Sequence, residues 1–229
     1  SSAASDVYKR QQLLETMLFA RTTFIDLLQN REYSLHDRLV NVLSASAEIQ
    51  YALDEEDTEE IKAIAQELSH PEIIAERVES LKKALSEKPL ENAENMLLYL
   101  ERLDFIGDIL PQQIKDASRF VKKLSAPLKA QTSGEYEKLA VYFVYRYFLK
   151  AVRDFDLLSK IKAMIVFVFA AEVINLSREQ DAHARFETVK ELCKEIEYSG
   201  DNMDRIYDDS YLSDIFSDTS MLALLEWTL

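Results

Sequence analysis

Apolar residues recur at helical spacing through EYEKLAVYFVYRYFLKAVRDF, residues 135–155. The spacing i, i+3, i+4 and i+7 places them on one stripe of a helix without a break. That stripe consists of Tyr136, Leu139, Ala140, Phe143, Val144, Tyr147, Phe148, Ala151 and Val152. Similar stripes run through residues 12–30 and 34–53, and no useful length of sequence alternates as a half-buried strand does. Because the 229 residues include only 3 glycines and 4 prolines, tight turns are few, and we predict an all-α fold, an irregular multi-helix array or bundle.

The chain shows no fixed-period repeat, and we expect residues 12–229 to form a single helical domain. The segment APLKAQTSG, residues 126–134, interrupts the apolar pattern and is the candidate internal linker. The region 54–95 is the most polar and least patterned, so we expect it to be the most variable part.

Several residues have the character of helix ends. Ser34, with Asp37 three residues later, is a candidate N-cap for the helix that follows. Ser177 and Gln180 match a capping box that would open a later helix. Gly200 would close that helix as the residue just beyond its C-terminus.

The first eleven residues, SSAASDVYKRQ, have no apolar face, no cap and no features of a targeting signal. They can be reverse-translated into a transposon-type sequencing adapter read in frame. We therefore interpret residues 1–11 as a non-native scar that makes no core contacts, with native sequence beginning at Gln12. On this interpretation the chain is the later part of a longer gene product.

The net charge of −14 excludes several partner classes. Nucleic acids and anionic membrane surfaces both require clustered Lys and Arg, so we expect neither as a partner. The longest apolar run, AMIVFVFAA at 163–171, is much shorter than the roughly 20 residues of a membrane span and is expected to be a buried core helix. One cysteine cannot form an intrachain disulfide, which favours a reducing, cytoplasmic setting.

The sequence offers no set of metal ligands and no recognisable nucleophile with its base. His36, His70 and His183 are isolated from one another, and Cys193 falls on an apolar helical stripe, where it is expected to be a small buried side chain. The glycines also stand alone, so no glycine-rich turn of a nucleotide site is present. We predict no metal site in this chain, and the sequence assigns no catalytic or cofactor-binding residue.

Two arginines occupy apolar surroundings in the sequence. Arg21 falls on the stripe of the first helix, and Arg146 lies within YFVYRYF. A buried guanidinium requires a partner or a site, so both are candidate buried polar residues. The alternative is a side chain that extends its charge to solvent or forms a structural ion pair.

Acidic residues cluster in KEIEYSGDNMDRIYDD, residues 194–209. Glu195, Glu197 and Asp201 would gather around one helix end, where they are candidates for steering lysines of a substrate. The alternative is an acidic surface that is merely solvated.

Three stretches together resemble the flagellin lysine N-methylase family, specifically its helical C-terminal part. They are FIDLLQNREYSLHDRLVNVL at 24–43, EYEKLAVYFVYRYFLKAV at 135–152 and ETVKELCKEIEYSGDN at 187–202. The resemblance implies methyl transfer from S-adenosylmethionine to lysines of flagellin. For full-length members it also implies an upstream cysteine-rich region that holds an iron–sulfur cluster. This chain has no such cysteine set, so the resemblance does not imply that the chain itself holds the iron–sulfur cluster or S-adenosylmethionine.

Two functions stay open from the sequence. The first is the C-terminal helical part of a protein-lysine N-methyltransferase of the bacterial flagellum, a fragment that is cytoplasmic, inactive alone, and partnered by flagellin and the missing cysteine-rich region. The second is a non-catalytic binding or scaffold module whose acidic surface holds a partner. Whether this chain is itself an enzyme is left undecided by these observations.

Overall fold

The computed structural model describes residues 2–84, 88–129, 134–178 and 181–228. These residues form helices and no strand, which confirms the all-α prediction. The α-helices are α1 (Ser2–Gln29), α2 (Leu35–Asp54), α3 (Thr58–Glu67), α4 (Pro71–Ala84), α5 (Pro89–Leu100), α6 (Ile109–Val121), α7 (Gly134–Tyr147), α8 (Ala151–Asp154), α9 (Leu158–Arg178), α10 (Ala182–Leu192), α11 (Gly200–Leu212) and α12 (Asp218–Leu225). Within the described residues, no helix has both the length and the apolar composition of a membrane span.

The chain separates into two compact units. The first unit comprises residues 1–83 and 140–161, and the second comprises residues 84–139 and 162–229. The candidate linker falls in the second unit, where residues 126–129 have no regular structure and 130–133 lie outside the described residues. The single-domain prediction stays a prediction.

In the first unit, α1 packs against α2 and α3. The buried apolar residues of α1 begin at Leu13, whereas Leu14 and Leu18 are exposed. The rings of Phe24 and Phe148 pack edge to face, with centroids 5.0 Å apart. The side chains of residues 6–11 are exposed, as expected for a segment without core contacts.

Arg38 closes the end of α1 in the same unit. The side chain is only 2% exposed, and its guanidinium donates to the carbonyl oxygens of Leu28 and Ser34. The last carbonyls of a helix lack partners within the helix, and a cation is electrostatically favoured there. Arg38 therefore fixes the turn that joins α1 to α2.

Gln50 of α2 organises the connection before α9. Its side-chain oxygen accepts the backbone N–H groups of Leu157 (2.7 Å) and Leu158 (3.1 Å), and its side-chain nitrogen donates to the carbonyl of Phe155 (2.8 Å). Phe155 has a φ of 55°, the left-handed conformation that ends α8. One amide thus satisfies three backbone groups of a segment distant in sequence.

The second unit is built on α9. Residues 163–171 are entirely buried, which confirms that the longest apolar run is a core helix. Trp227, which follows α12, is buried in this core. The indole of Trp227 packs edge to face on the ring of Phe169, with centroids 6.2 Å apart. The indole N–H donates to the carbonyl of Pro89, so the largest buried aromatic residue also has its polar atom satisfied.

The predicted helix ends have mixed outcomes. Ser34 is confirmed as an N-cap, because its hydroxyl accepts the N–H of Asp37 at 3.0 Å. Ser177 lies inside α9, so the capping-box prediction is wrong. Asp181 caps α10, and Gln180 lies outside the described residues. Gly200 begins α11 instead of ending the preceding helix, with Ser199 as its N-cap.

We expect Gln50→Leu to lower the free energy of unfolding by about 3 kcal/mol, since each buried polar group left unsatisfied costs roughly 1–3 kcal/mol. Urea denaturation followed by circular dichroism measures this change. The matched control is Gln112→Leu on the exposed side of α6, expected to change stability by less than about 0.5 kcal/mol. Equal effects of the two substitutions would contradict the role assigned to Gln50.

Candidate functional site

The motif CKEIEYSGDN folds as a change of helix type in the second unit. Residues Cys193–Glu197 form a π-helical turn that continues α10, and Gly200 then begins α11. A π-helical turn is wider than an α-helical turn and is frequent at functional sites, because it redirects side chains. Here the turn directs the side chain of Glu195 into the protein, where it is only 4% exposed.

Glu195 and Asn202 hold the loop that joins α5 to α6. The Glu195 carboxylate accepts the backbone N–H groups of Ile106 (2.8 Å) and Gly107 (3.1 Å). Asn202 accepts the N–H of Asp104 (3.0 Å) and donates to its carbonyl (2.7 Å). Asn202 also donates to the Glu195 carbonyl, so the two side chains form one network.

Gly107 suits this network because the carboxylate of Glu195 lies close to its backbone. A Cβ atom built at Gly107 would lie 3.1 Å from Oε1 of Glu195, a tight contact that the carboxylate would have to relieve by a small shift. The preceding residue, Ile106, is fully exposed. The loop therefore displays an apolar side chain on a backbone held by charged and amide groups.

The predicted acidic surface needs correction for two of its three residues. Asp201 is exposed, whereas Glu195 and Glu197 are buried. The N–H groups of Ile106 and Gly107 hold the pKa of the Glu195 carboxyl below its usual range, with a further contribution from Lys194. Periodicity alone cannot distinguish such a carboxylate from an exposed one, since both lie on a polar face. The steering role stays a prediction, and in the structure only Asp201 of the three faces solvent.

Of the two arginines predicted to be buried polar residues, Arg146 is exposed and Arg21 is only partly buried. The guanidinium of Arg146 lies beside the rings of Tyr142 and Tyr147. Arg21 stacks on Tyr145, 5.2 Å from the ring centroid. Arg38, the buried arginine of this part of the chain, was missed. Its spacing of four residues from Ser34 was the only sequence signal for it.

The histidines and the cysteine are not brought together. His36 is buried beside Asp37, His70 and His183 are exposed, and Cys193 is half-buried instead of fully buried as expected. In the described part of the chain, no three His, Cys, Asp or Glu residues are placed to hold a metal ion.

A second buried polar group lies on α9. Glu172 is fully buried, and its Oε2 accepts the hydroxyl of Thr228 at 2.8 Å, while Oε1 has no hydrogen-bond partner. Burial raises the pKa of Glu172 well above its usual value. One turn further along α9, Asn175 donates to the hydroxyl of Tyr136, and burial raises the pKa of that phenol to about 12.

Two grooves open on the first unit. One, of about 430 Å³, is lined by both ends of the turn 30–33 together with parts of α1, α3 and α4; we call it the turn groove. Asp26 and Glu32 contribute carboxylates to it, and the structure records no ion pair for either among the described residues. The other groove, of about 450 Å³, mixes the cations Lys9 and Arg10 with the carboxylates of residues 55–56.

We expect Glu195→Gln to lower stability at pH 7 by about 1–2 kcal/mol, because a neutral acceptor replaces a charged one. The folded-state pKa is depressed, so this stabilisation is present above the ordinary Glu pKa and is lost as pH falls through the folded value. Urea unfolding at pH 7 and pH 3 should show the difference shrinking at the lower pH. The control Glu187→Gln removes a surface pair with Lys190 and should change stability by less than about 0.5 kcal/mol.

Glu172→Gln should reduce the dependence of the unfolding free energy on pH in the range above the ordinary pKa of a glutamate. The raised folded pKa means that the folded state retains a proton that the unfolded state releases, so wild-type stability falls as pH rises above about 4.5. Comparison of unfolding free energies at pH 5 and pH 8 tests this, with Glu76→Gln as an exposed control. An unchanged slope in Glu172→Gln would contradict burial of a protonated carboxyl.

The chain matches a known protein family. The family model described as the FliB lysine N-methylase C-terminal domain matches residues 21–224, a span that contains the three stretches on which the resemblance rests. No curated protein and no solved structure matches the chain. Because the model covers most of the sequence and residues of both units, the chain belongs to the FliB lysine N-methylase C-terminal domain family.

Proposed function

We propose that the chain is the helical part of a protein-lysine N-methyltransferase that acts on flagellin in the cytoplasm before the flagellin is exported. The observation that carries this proposal is the family match over residues 21–224. Within that enzyme, we assign the chain to recognition of the substrate protein and not to the methyl transfer itself.

The residues present do not fit an iron–sulfur cluster. Such clusters are held by several thiolates, typically four, and the sequence contains one cysteine, which is half-buried. The chain also lacks the glycine-rich turn after a strand that Rossmann-like sites use to approach S-adenosylmethionine. We therefore assign the cluster and the methyl donor to another part of the enzyme and derive no chemical step through them.

Two features support a role in protein recognition. The loop carrying Ile106 presents an apolar side chain on a fixed backbone, so little conformational freedom is lost when a partner covers it. The net charge of −14 favours encounter with a lysine-bearing surface. The same features support the second candidate, a non-catalytic binding module, which differs in having no methyltransferase partner.

A methyl-transfer assay on purified flagellin with labelled S-adenosylmethionine tests the proposal. The chain alone should give no label above background, because it lacks the cluster ligands, whereas a protein that joins it to the cysteine-rich region should label flagellin. Flagellin with its surface lysines replaced by arginine is the control and should stay unlabelled. Transfer by the chain alone would contradict the division of roles, and failure of the joined protein would favour the non-catalytic module.

A further inference from the structure

We propose that the turn groove of the first unit binds a lysine side chain of the protein substrate. This inference rests on the proposed function, and it adds a location and a recognition chemistry. It can fail while the methyltransferase assignment stands, because flagellin could be held elsewhere on the chain.

The walls of the turn groove suit the hydrocarbon part of lysine. Phe19 and Leu27 of α1 line the groove together with Leu68 and Ile74, from the end of α3 and the start of α4, and Leu27, Leu68 and Ile74 are buried. Phe19 is exposed, although it is large and apolar. The four methylene groups of a lysine would pack on these side chains, and the apolar surface that they would remove from water belongs chiefly to Phe19.

The polar groups of the turn groove suit the ammonium end. Asp26 and Glu32 are both exposed, and no ion pair is recorded for either carboxylate among the described residues. Tyr33 adds an aromatic ring to the same groove. Carboxylates and aromatic rings both attract an ammonium ion, and carboxylates that keep no internal partner remain free to pair with one.

The turn that carries Glu32 and Tyr33 is held in place before any ligand binds. The side-chain oxygen of Asn30 accepts the backbone N–H of Glu32 at 3.1 Å. Arg38 binds the carbonyls of Leu28 and Ser34, one on each side of the turn. A fixed turn reduces the entropy lost on binding. The stretch LLQNREYSLHDRL thus supplies part of the lining of the groove and the support of its turn.

The second groove provides a matched comparison within the same unit. Its volume is similar, about 450 Å³, but Lys9 and Arg10 lie beside its carboxylates. These cations repel an ammonium group and compete for the acidic residues. Leu13 lines this groove, and its methyl groups report on non-specific binding.

Nuclear magnetic resonance of the full chain, labelled at Ile and Leu methyl groups, tests the proposal with Nα-acetyl-lysine N-methylamide as the probe. Signals of Leu27, Leu68 and Ile74 should shift in a saturable way, and those of Leu13 should not. The norleucine analogue, which keeps the hydrocarbon chain and lacks the ammonium, should shift them at least about threefold less at equal concentration. Equal responses to both probes, or no response at the turn groove, would overturn the proposal.

Charge removal gives the second measurement. Asp26→Asn combined with Glu32→Gln should weaken lysine-probe binding at least about threefold, because each exposed ion pair contributes modestly. Glu59→Gln combined with Glu76→Gln makes the same change of charge at exposed positions outside the groove and should leave binding unchanged. Equal weakening by the two double variants would mean that net charge alone attracts the probe. If the lysine probe binds as expected but no flagellin is methylated by the joined protein, the groove stands and the proposed function falls.

Discussion

Every backbone group that a helical chain leaves between its helices must find a hydrogen-bond partner, and this constraint organises both units. Side chains distant in sequence supply these hydrogen bonds. In the first unit, Arg38 donates to a carbonyl oxygen at the end of α1, and Gln50 binds three backbone groups of the segment that leads into α9. In the second unit, Glu195 and Asn202 take the amides and carbonyl of the 104–107 loop. Removal of any one of these side chains leaves buried polar groups without water, which is costly.

The two buried carboxyls on helices of the second unit illustrate opposite outcomes of burial. Glu195 meets backbone N–H groups, so its charged form is favoured and the pKa falls. Glu172 meets one hydroxyl and apolar surroundings, so its neutral form is favoured and the pKa rises. Glu195 therefore strengthens the fold at neutral pH, whereas Glu172 weakens it as the solution becomes more basic.

The surfaces proposed for recognition lie where helices end. The turn groove is built around the junction of α1 and α2, and the exposed Ile106 lies on the loop between α5 and α6. Such segments are fixed by their side-chain supports and still reach solvent, a combination suited to recognition. The chain belongs to a lysine N-methylase family, and its negative charge would complement a lysine-bearing surface of the kind proposed as its substrate.

Much of the fold follows from the sequence because helix formation is local. Periodicity identified α1, α2 and α7, Ser34 was recognised as a cap, and the run at 163–171 was recognised as core. The stretches that resemble the lysine N-methylase family also identify the correct family.

Only the tertiary structure decided which polar residues are buried and what they contact. Arg21 and Arg146 were expected to be buried, yet the buried arginine is Arg38. Glu195 was expected at the surface, yet it is buried and accepts a backbone N–H group of a loop almost ninety positions earlier in the chain. A helical period fixes which residues share a face. It does not fix what packs against that face, because the partner comes from a remote part of the chain and the free energy of a charge depends on that partner.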